Sequence, residues 1–404
     1  MKLVLYVTGS ISCYKAYDLT RELSKAGHQI KIILSKGAQK FIKKELFCFL
    51  GALETYGHED DFNHKEILHI ELARWCDVMV VCPASANSLS TLANGAANDF
   101  GTSTYLALDE KKPCLIFPAM NTKMLQHPAV KRNLKLLKDD GRSHIFPTQS
   151  GVLACNEKGE GKLLSIENIK TLISSYPLIK TKAKKILLST GASINPLDDV
   201  RFITNPATGV TGEEIARELL RAGHYVTVIY GGTNKSLFEN FRGHPNLKLI
   251  KATTTNDFYH KTITEFSTTD VFISSAAISD MEFPYKEGKL KKKNLNGTLQ
   301  FKQSTDILLE ILNDKRADQK IIGFAAESEL TQDLIDSKLE RKPVDFLVAT
   351  KVNSGISSNG ALEGFSSNIA DYKLFDGNKL FFEGKIKKSK LAEILSERIS
   401  HWPL

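Results

Sequence analysis

An apolar run follows Asp77 as far as Cys82 and is closed by Pro83, the pattern of a buried parallel strand whose carboxyl end falls at the proline. Ala84, Ser85, Ala86 and Asn87 come next, ahead of Leu89, Leu92 and Ala93 at helical spacing. In an open α/β sheet, small residues at a strand's carboxyl end let backbone N–H groups approach a phosphate or a planar ring. This turn is therefore a candidate cofactor site, although taken alone it also reads as an ordinary helix cap.

The same pattern recurs through the first half. Lys2 to Thr8 alternates, Gly9 and Ser10 break it, and a helical period runs through Tyr17, Leu19, Leu23 and Ala26 to Gly27. A second strand, Ile30 to Leu34, ends at Ser35, so the unit is βαβ. Gly9 is followed by Ser10, Ile11, Ser12, Cys13 and Tyr14, which is not G-x-G-x-x-G; dinucleotide binding is disfavoured and a mononucleotide phosphate is not. Cys114 to Phe117 is another apolar run, closed by Pro118, Ala119, Met120 and Asn121. Strand ends thus converge at Gly9 and Ser10, at Ser35, at Ser85 to Asn87, and at Ala119 to Asn121. His69 lies in a short helical segment, where a lone histidine is more often a surface residue than a catalyst. Gly151 to Gly161, GVLACNEKGEG, predicts a mobile loop rather than a strand, and makes Cys155 the least structural cysteine.

Ile166 to Ser175 predicts the last helix of the first domain, with a boundary within Tyr176 to Lys185 and a new strand over Lys185 to Thr190. Arg217 to His224 echoes Arg21 to His28, each ahead of an apolar strand. The expected fold class is α/β, with two Rossmann-like doubly wound domains of mainly parallel sheets, residues 1–180 and 181–404. Between Gly191 and Gly212 lies an insertion carrying Asp198, Asp199, Arg201 and Asn205, and long structureless loops inside compact domains are usually functional or disordered. Ser275 to Asp280 follows a strand, Lys289 to Lys293 is a basic run, and Gly323 to Glu327 is another small-residue segment. Lys338 and Lys342, one turn apart on a predicted helix, present two ammonium groups on one face.

Composition narrows the function classes. At 404 residues with 42% hydrophobic content, the chain can bury more than one core usually holds, so two domains are expected. The formal charge of +8 suits small anionic substrates; no helix-turn-helix, zinc-finger or aromatic-interleaved pattern accompanies the lysine run, so no nucleic acid is expected. The six cysteines include no C-x-x-C pair, which argues for reduced thiols over zinc or disulfides. No apolar run of roughly 18 residues and no leader pattern is present. A cytoplasmic protein without a membrane partner is the expectation.

His69-Ile70-Glu71-Leu72, Pro83 to Asn87, Pro118 to Asn121 and Ala154-Cys155 together resemble, in order and spacing, the flavin-dependent cysteine decarboxylases, which bind FMN on a Rossmann-like fold. Over nearly the whole chain, the resemblance is to the bifunctional bacterial family that makes 4'-phosphopantetheine for coenzyme A. It implies His69 as the basic active-site residue, Asn121 as holder of the substrate carboxylate and Cys155 as proton donor, with Gly9, Ser10, Ser35, Ser85, Ala86, Asn87 and Met120 lining FMN. In the second half it implies CTP-dependent joining of 4'-phosphopantothenate to cysteine. Asn205 would act on the acyl-cytidylate with Arg201 near it, and Asp280, Lys289, Phe324, Lys338 and Lys342 would contact the nucleotide, with Mg²⁺. A homo-oligomer with flavin sites between subunits is also implied.

The chain departs from that family in places. Ala207 and Val210 replace a serine and a lysine, Met281 replaces an aromatic residue, and Asp280 to Lys289 is one residue short. Altered nucleotide affinity with retained ligase activity is expected. Asn156 stands where glycine is usual, and asparagine tolerates left-handed backbone angles. Three rival readings are an FMN-dependent decarboxylase of another cysteine-terminated substrate with a degenerate ligase half, a non-catalytic flavoprotein scaffold, and a nicotinamide-dependent dehydrogenase.

Overall fold

A computed structural model describes residues 1–60, 67–177, 182–291, 298–352 and 367–403. The chain divides into two compact units: Met1–Leu178 with Glu239–His244, and Ile179–Phe238 with Pro245–Leu404.

The first unit is built on β1 (Lys2–Val7), β2 (Gln29–Leu34), β3 (Glu54–Tyr56), β4 (Val78–Ala84), β5 (Cys114–Pro118) and β6 (Ser143–Ile145). They pair in parallel in the order β3-β2-β1-β4-β5-β6, the doubly wound arrangement whose order reverses between β1 and β4. Both faces are covered, so side chains of one strand divide between two cores. Leu3, Leu5 and Val7 face one core with Ile30, Ile32, Val78 and Val80; Val4 and Tyr6 face the other with Ile33, Met79 and Val81. That two-sided burial is why these strands read as continuous apolar runs. The covering helices are α1 (Lys15–Lys25), α2 (Leu46–Phe49), α3 (Leu68–Trp75), α4 (Ala86–Ala93), α5 (Phe100–Leu106), α6 (Thr122–Gln126), α7 (Pro128–Asp139) and α8 (Ile166–Ser174).

Two expectations for this unit are corrected. Pro83 does not end its strand: β4 continues through it to Ala84, which pairs with Pro118 after a register shift, and the Pro83 carbonyl accepts from the Thr8 hydroxyl at 2.7 Å. The segment Gly151 to Gly161 is not an open loop but part of an antiparallel hairpin, β7 (Gln149–Val152) and β8 (Lys158–Lys162). Its tip is closed by Leu153 N–H on Glu157 O and Asn156 N–H on Leu153 O, both 2.9 Å. Asn156 takes the left-handed conformation there, φ 62°.

The second unit repeats the order. Strands β9 (Lys185–Thr190), β12 (Tyr225–Tyr230), β13 (Leu247–Lys251), β14 (Val271–Ser274), β17 (Lys320–Glu327) and β18 (Phe346–Lys351) pair in parallel as β13-β12-β9-β14-β17-β18. Antiparallel β19 (Ile369–Asp376) and β20 (Lys379–Lys387) extend that edge. The helices are α9 (Val210–Arg221), α10 (Thr255–Phe266), α11 (Ile307–Asn313), α12 (Gln332–Arg341) and α13 (Lys388–His401). The echoed segments occupy equivalent places, α1 into β2 and α9 into β12. The insertion after Gly191 is not structureless, because β10 (Ile194–Pro196) and β11 (Phe202–Thr204) form a hairpin within it. Further along the chain, β15 (Met281–Glu282) pairs with β16 (Lys302–Gln303). Lys342 is not helical; α12 stops at Arg341 and Lys342 is its C-cap. Lys292 and Lys293 lie outside the described residues.

Candidate functional site

A cavity of about 590 Å³ opens in the first unit where the sheet order reverses, between the carboxyl ends of β1, β4 and β5. Gly9 and Ser10 after β1, Ser85 and Ala86 after β4, and Met120 and Asn121 after β5 contribute walls, and the β7–β8 hairpin closes a side with Cys155. The walls are held by direct bonds. Ser10 Oγ donates to Ala119 O at 3.1 Å, the Ser85 N–H donates to Thr8 Oγ1 at 2.8 Å, and Ser85 Oγ caps α4 by accepting from Ser88 N. The next amides, of Ala86 and Asn87, belong to the first turn of α4, which has no acceptors within its own helix.

Local sequence explains the close fit. A Cβ on Gly9 would stand 2.9 Å from Gly37 Cα, so only glycine lets these two loops meet. At Gly161 (φ 111°) a Cβ would stand 2.2 Å from Met120 O, while the Met120 N–H donates to Gly161 O at 2.9 Å. That contact seats the hairpin against the end of β5.

Asn121 and Cys155 meet in the cavity. Asn121 Oδ1 accepts from Lys123 N at 2.8 Å, which fixes the amide's orientation, and Nδ2 donates to Cys155 Sγ at 3.3 Å and to Glu157 Oε2 at 3.1 Å. The Cys155 thiol is exposed, whereas Cys13, Cys76, Cys82 and Cys114 are buried, and burial pushes the Cys76 thiol up to about 11. Among the described residues, Cys155 is the only cysteine that lines the cavity.

Three of the sequence-predicted residues stand outside these walls. Ser35 is buried at the end of β2, and its Oγ accepts from Ala38 N at 3.1 Å, shaping the loop that brings Gly37 to Gly9. Asn87 is exposed in the first turn of α4, and His69 is half-buried near the start of α3. Sequence reasoning did not single out Glu157, Lys15 or Lys162. The two lysines line the cavity, and only their neighbours Tyr14 and Gly161 at turn positions hinted at it.

The donor set fits a phosphorylated, planar ligand such as a flavin mononucleotide. The lining contains hydroxyls, amides and ammonium groups and no carboxylate, and the volume lies in the range of small-molecule sites.

In the second unit, Asn205 Nδ2 donates to Ala277 O at 3.1 Å, joining the end of the β10–β11 hairpin to the segment after β14. The buried Ser193 hydroxyl accepts from Ser279 N at 2.9 Å and from Thr255 Oγ1 at 3.2 Å, an organising role the sequence did not reveal. Asp198 is buried and accepts from the amides of Val200, Arg201 and Leu290 at 2.7 to 3.0 Å, with the Arg201 guanidinium 3.6 Å away. Burial opposes its ionisation, but these amides and Arg201 hold the carboxyl below its ordinary range. Asp199 accepts from Tyr285 and from Gly288 N. The two aspartates therefore shape loops and bring Arg201 near the residue after Lys289. Asp280 and Lys289 are exposed, and Phe324 is half-buried in β17. Lys338 pairs with Glu327 at 2.5 Å and Lys342 with Asp306 at 2.6 Å. A cavity of about 490 Å³, bordered by Asn195, Thr255, Glu282 and Lys302, takes none of its walls from the predicted nucleotide residues. Among the described residues no three His, Cys, Asp or Glu side chains converge as a metal site, and no helix is long and apolar enough to cross a membrane.

A doubly wound sheet with a small-residue cavity at its switch point is the architecture of nucleotide-cofactor proteins, here joined to a second doubly wound unit. Comparisons agree: residues 1–176 match the family described as Flavoprotein, and residues 181–402 match the DNA/pantothenate metabolism flavoprotein C-terminal domain. The coenzyme A biosynthesis bifunctional protein CoaBC of Bacillus subtilis is 35% identical over 98% of this chain and 95% of its own length. The protein of the same description from Haemophilus influenzae is 29% identical over 99% of this chain and 97% of its own. A solved PPC decarboxylase mutant complexed with pantothenoylaminoethenethiol is 28% identical over 43% of this chain and 95% of its own, with a TM-score of 0.40. The chain belongs to the CoaBC family of bifunctional coenzyme A biosynthesis proteins, pairing a phosphopantothenoylcysteine decarboxylase with a phosphopantothenate–cysteine ligase. Matches across both halves disfavour a degenerate ligase half and a non-catalytic scaffold.

Proposed function

We propose that the first unit binds FMN in the 590 Å³ cavity and decarboxylates 4'-phosphopantothenoylcysteine there. The observation that carries this reading is the meeting of Asn121 and Cys155, 3.3 Å apart, where β1, β4 and β5 end. Gly9, Ser10, Ser85, Ala86 and Met120 hold the flavin directly, and Ser35 and Asn87 support the loops around it. Bound flavin supplies the two-electron oxidation of the substrate thiol and the later return of hydride. Oxidation to a thioaldehyde places the carboxylate beta to a C=S group, so that carbon dioxide can leave and an enethiolate remains. Asn121 donates to the departing carboxylate without the full charge that would hold it back. Cys155, an exposed thiol at the hairpin tip, gives its proton to the enethiolate carbon.

His69 completes this site from a neighbouring copy in a homo-oligomer. Exposed apolar side chains favour such an assembly: Phe49 is 84% exposed, Ile11 and Ile67 62% and Phe41 61%.

The second unit joins 4'-phosphopantothenate to cysteine through an acyl-cytidylate formed from CTP. Asn205 and Arg201 serve the acyl-nucleotide, and Asp280, Lys289, Phe324, Lys338 and Lys342 serve the nucleotide. Mg²⁺ travels with the triphosphate, the usual mode for a cation that keeps several waters and binds through substrate phosphates. Mass spectrometry of the purified protein with 4'-phosphopantothenate, cysteine, Mg²⁺ and either CTP or ATP tests the whole reading. 4'-Phosphopantetheine should form with CTP. Product with ATP alone would overturn the nucleotide assignment, and product only from ready-made phosphopantothenoylcysteine would remove the ligase role.

A further inference from the structure

The cavity of about 490 Å³ in the second unit is bordered by a donor that the fold leaves unused. Asn195 in β10 lines it and is only 5% exposed, and among the described residues its Nδ2 has no hydrogen-bond partner. A buried amide in this state calls for an acceptor that the chain itself does not supply. The first turn of α10, with Thr255 and Asn256 after the Thr254 cap, lines the same cavity. Its leading amides have no acceptor within their own helix, and a helix N-terminus carries about half a positive charge. Asp257 in that turn is committed elsewhere, accepting from Thr253 N at 3.1 Å with the Lys261 ammonium 3.6 Å away. Glu282 and Lys302, which also line the cavity, pair at 2.9 Å, so the charged side chains of the lining cancel.

We propose that this cavity is the cysteine subsite of the ligase, with the carboxylate of the amino acid held by Asn195 and the start of α10. The proposal rests on the ligase reading of the second unit. Neutral donors at a helix N-terminus suit a carboxylate, and side-chain charges that cancel suit a zwitterion; a triphosphate or a phosphate monoester would call for a surplus of cations. The position also fits a substrate whose amine must reach an acyl group at Asn205. Ala277 O accepts from Asn205 Nδ2 at 3.1 Å and from Ser193 N at 3.3 Å. Asn195 lies two residues beyond Ser193, about 7 Å at strand rise. An amino acid spans about 3.5 Å from nitrogen to carboxyl carbon, and a contact of about 3 Å at each end lets it bridge about 9 Å. Thr255 donates to Ser193 Oγ at 3.2 Å, and the same oxygen accepts from Ser279 N, so the α10 turn is held in register with the segment that carries Asp280.

The test uses the full chain and the variants Asn195→Leu and Asn195→Ala. Ligase kcat/KM is compared on cysteine and on cysteamine, which keeps the amine and thiol and lacks the carboxylate. Acyl-cytidylate formation is read separately, as pyrophosphate release before either amine is added. Wild type should prefer cysteine, and each variant should reduce that preference by about tenfold with pyrophosphate release retained. A wild type that uses both amines equally would overturn the proposal, as would variants with an unaltered preference. Loss of pyrophosphate release in both variants would also overturn it, assigning Asn195 to the fold or to the nucleotide. If wild type releases no pyrophosphate with either CTP or ATP, the ligase reading itself fails, and calorimetric titration with cysteine and with cysteamine then decides the cavity without turnover. Tighter binding of cysteine that is lost in the variants would keep it as an amino-acid site, and equal binding of the two would remove it.

Discussion

The side-chain amide of Asn121 donates at 3.1 Å to the carboxylate of Glu157, and the same carboxylate oxygen accepts from Cys155 Sγ at 3.6 Å. The Asn121 amide, the Cys155 thiol and then the Lys123 ammonium hold the Glu157 carboxyl below its ordinary range, so it is an anion at neutral pH. If Asn121 receives the substrate carboxylate, that anion must displace Glu157. Glu157→Gln should therefore lower KM for the cysteine substrate roughly threefold, the scale of an exposed charge contact. Steady-state kinetics of the decarboxylase half checks this, and an unchanged KM would show that the two carboxylates do not compete.

Cys155→Ser separates loss of carbon dioxide from reprotonation. A serine hydroxyl is a far weaker acid than a thiol, so trapped carbon dioxide should persist while 4'-phosphopantetheine falls by roughly a hundredfold or more. A parallel fall in both would place Cys155 before decarboxylation.

Gly161→Ala should unseat the hairpin. The new Cβ meets Met120 O at 2.2 Å and the residue holds φ 111°, so the backbone must move. Decarboxylase kcat is expected to fall roughly tenfold through misplacement of the hairpin, with ligase turnover retained. Full decarboxylase activity would show that the seat tolerates displacement.

Lys338 meets Glu327 at 2.5 Å, an ion pair that an incoming triphosphate would have to exchange. Lys338→Gln should raise the nucleotide KM roughly tenfold, the loss of one charge-assisted contact, and leave decarboxylation of ready-made phosphopantothenoylcysteine unaltered. A nucleotide KM equal to wild type would remove Lys338 from the nucleotide site.

His224 is fully enclosed in the second unit, where its Nδ1 lies 3.2 Å from Lys184 N. Burial, and then the Lys184 ammonium, bring its pKa down to about 4. The unfolded chain binds this proton from about pH 6.5 downward and the folded chain only near pH 4, so stability is complete above 6.5 and declines between these values. His224→Gln should reduce that acid-side decline by up to roughly 3 kcal/mol. Hydrogen exchange of β9 and β12 amides at pH 7 and pH 5 measures it, and an unaltered pH dependence would exclude His224 as the titrating group.

Much of this was legible along the chain because doubly wound sheets bury their strands on both faces. The runs Val78 to Cys82 and Lys185 to Thr190 therefore announced themselves, and strand-end residues marked the cavity walls. What escaped was set by long-range pairing. Pro83 looks terminal because proline lacks an N–H, yet a register shift carries β4 past it. The glycines of 151–161 suggest freedom, but Gly151 and Gly161 are there for cross-strand and Met120 contacts. Ser193 carries no local signal at all, since its partners Thr255 and Ser279 are supplied by distant segments. Lys342 was legible in type but not in placement, because its helix ends one residue earlier.

The β7–β8 hairpin is fastened at one end to Met120 through Gly161 and carries a thiol at the other. On the proposed reading, one segment would both cover the reacting carbon and carry its acid, so that an enethiolate formed there would meet a proton before it met solvent.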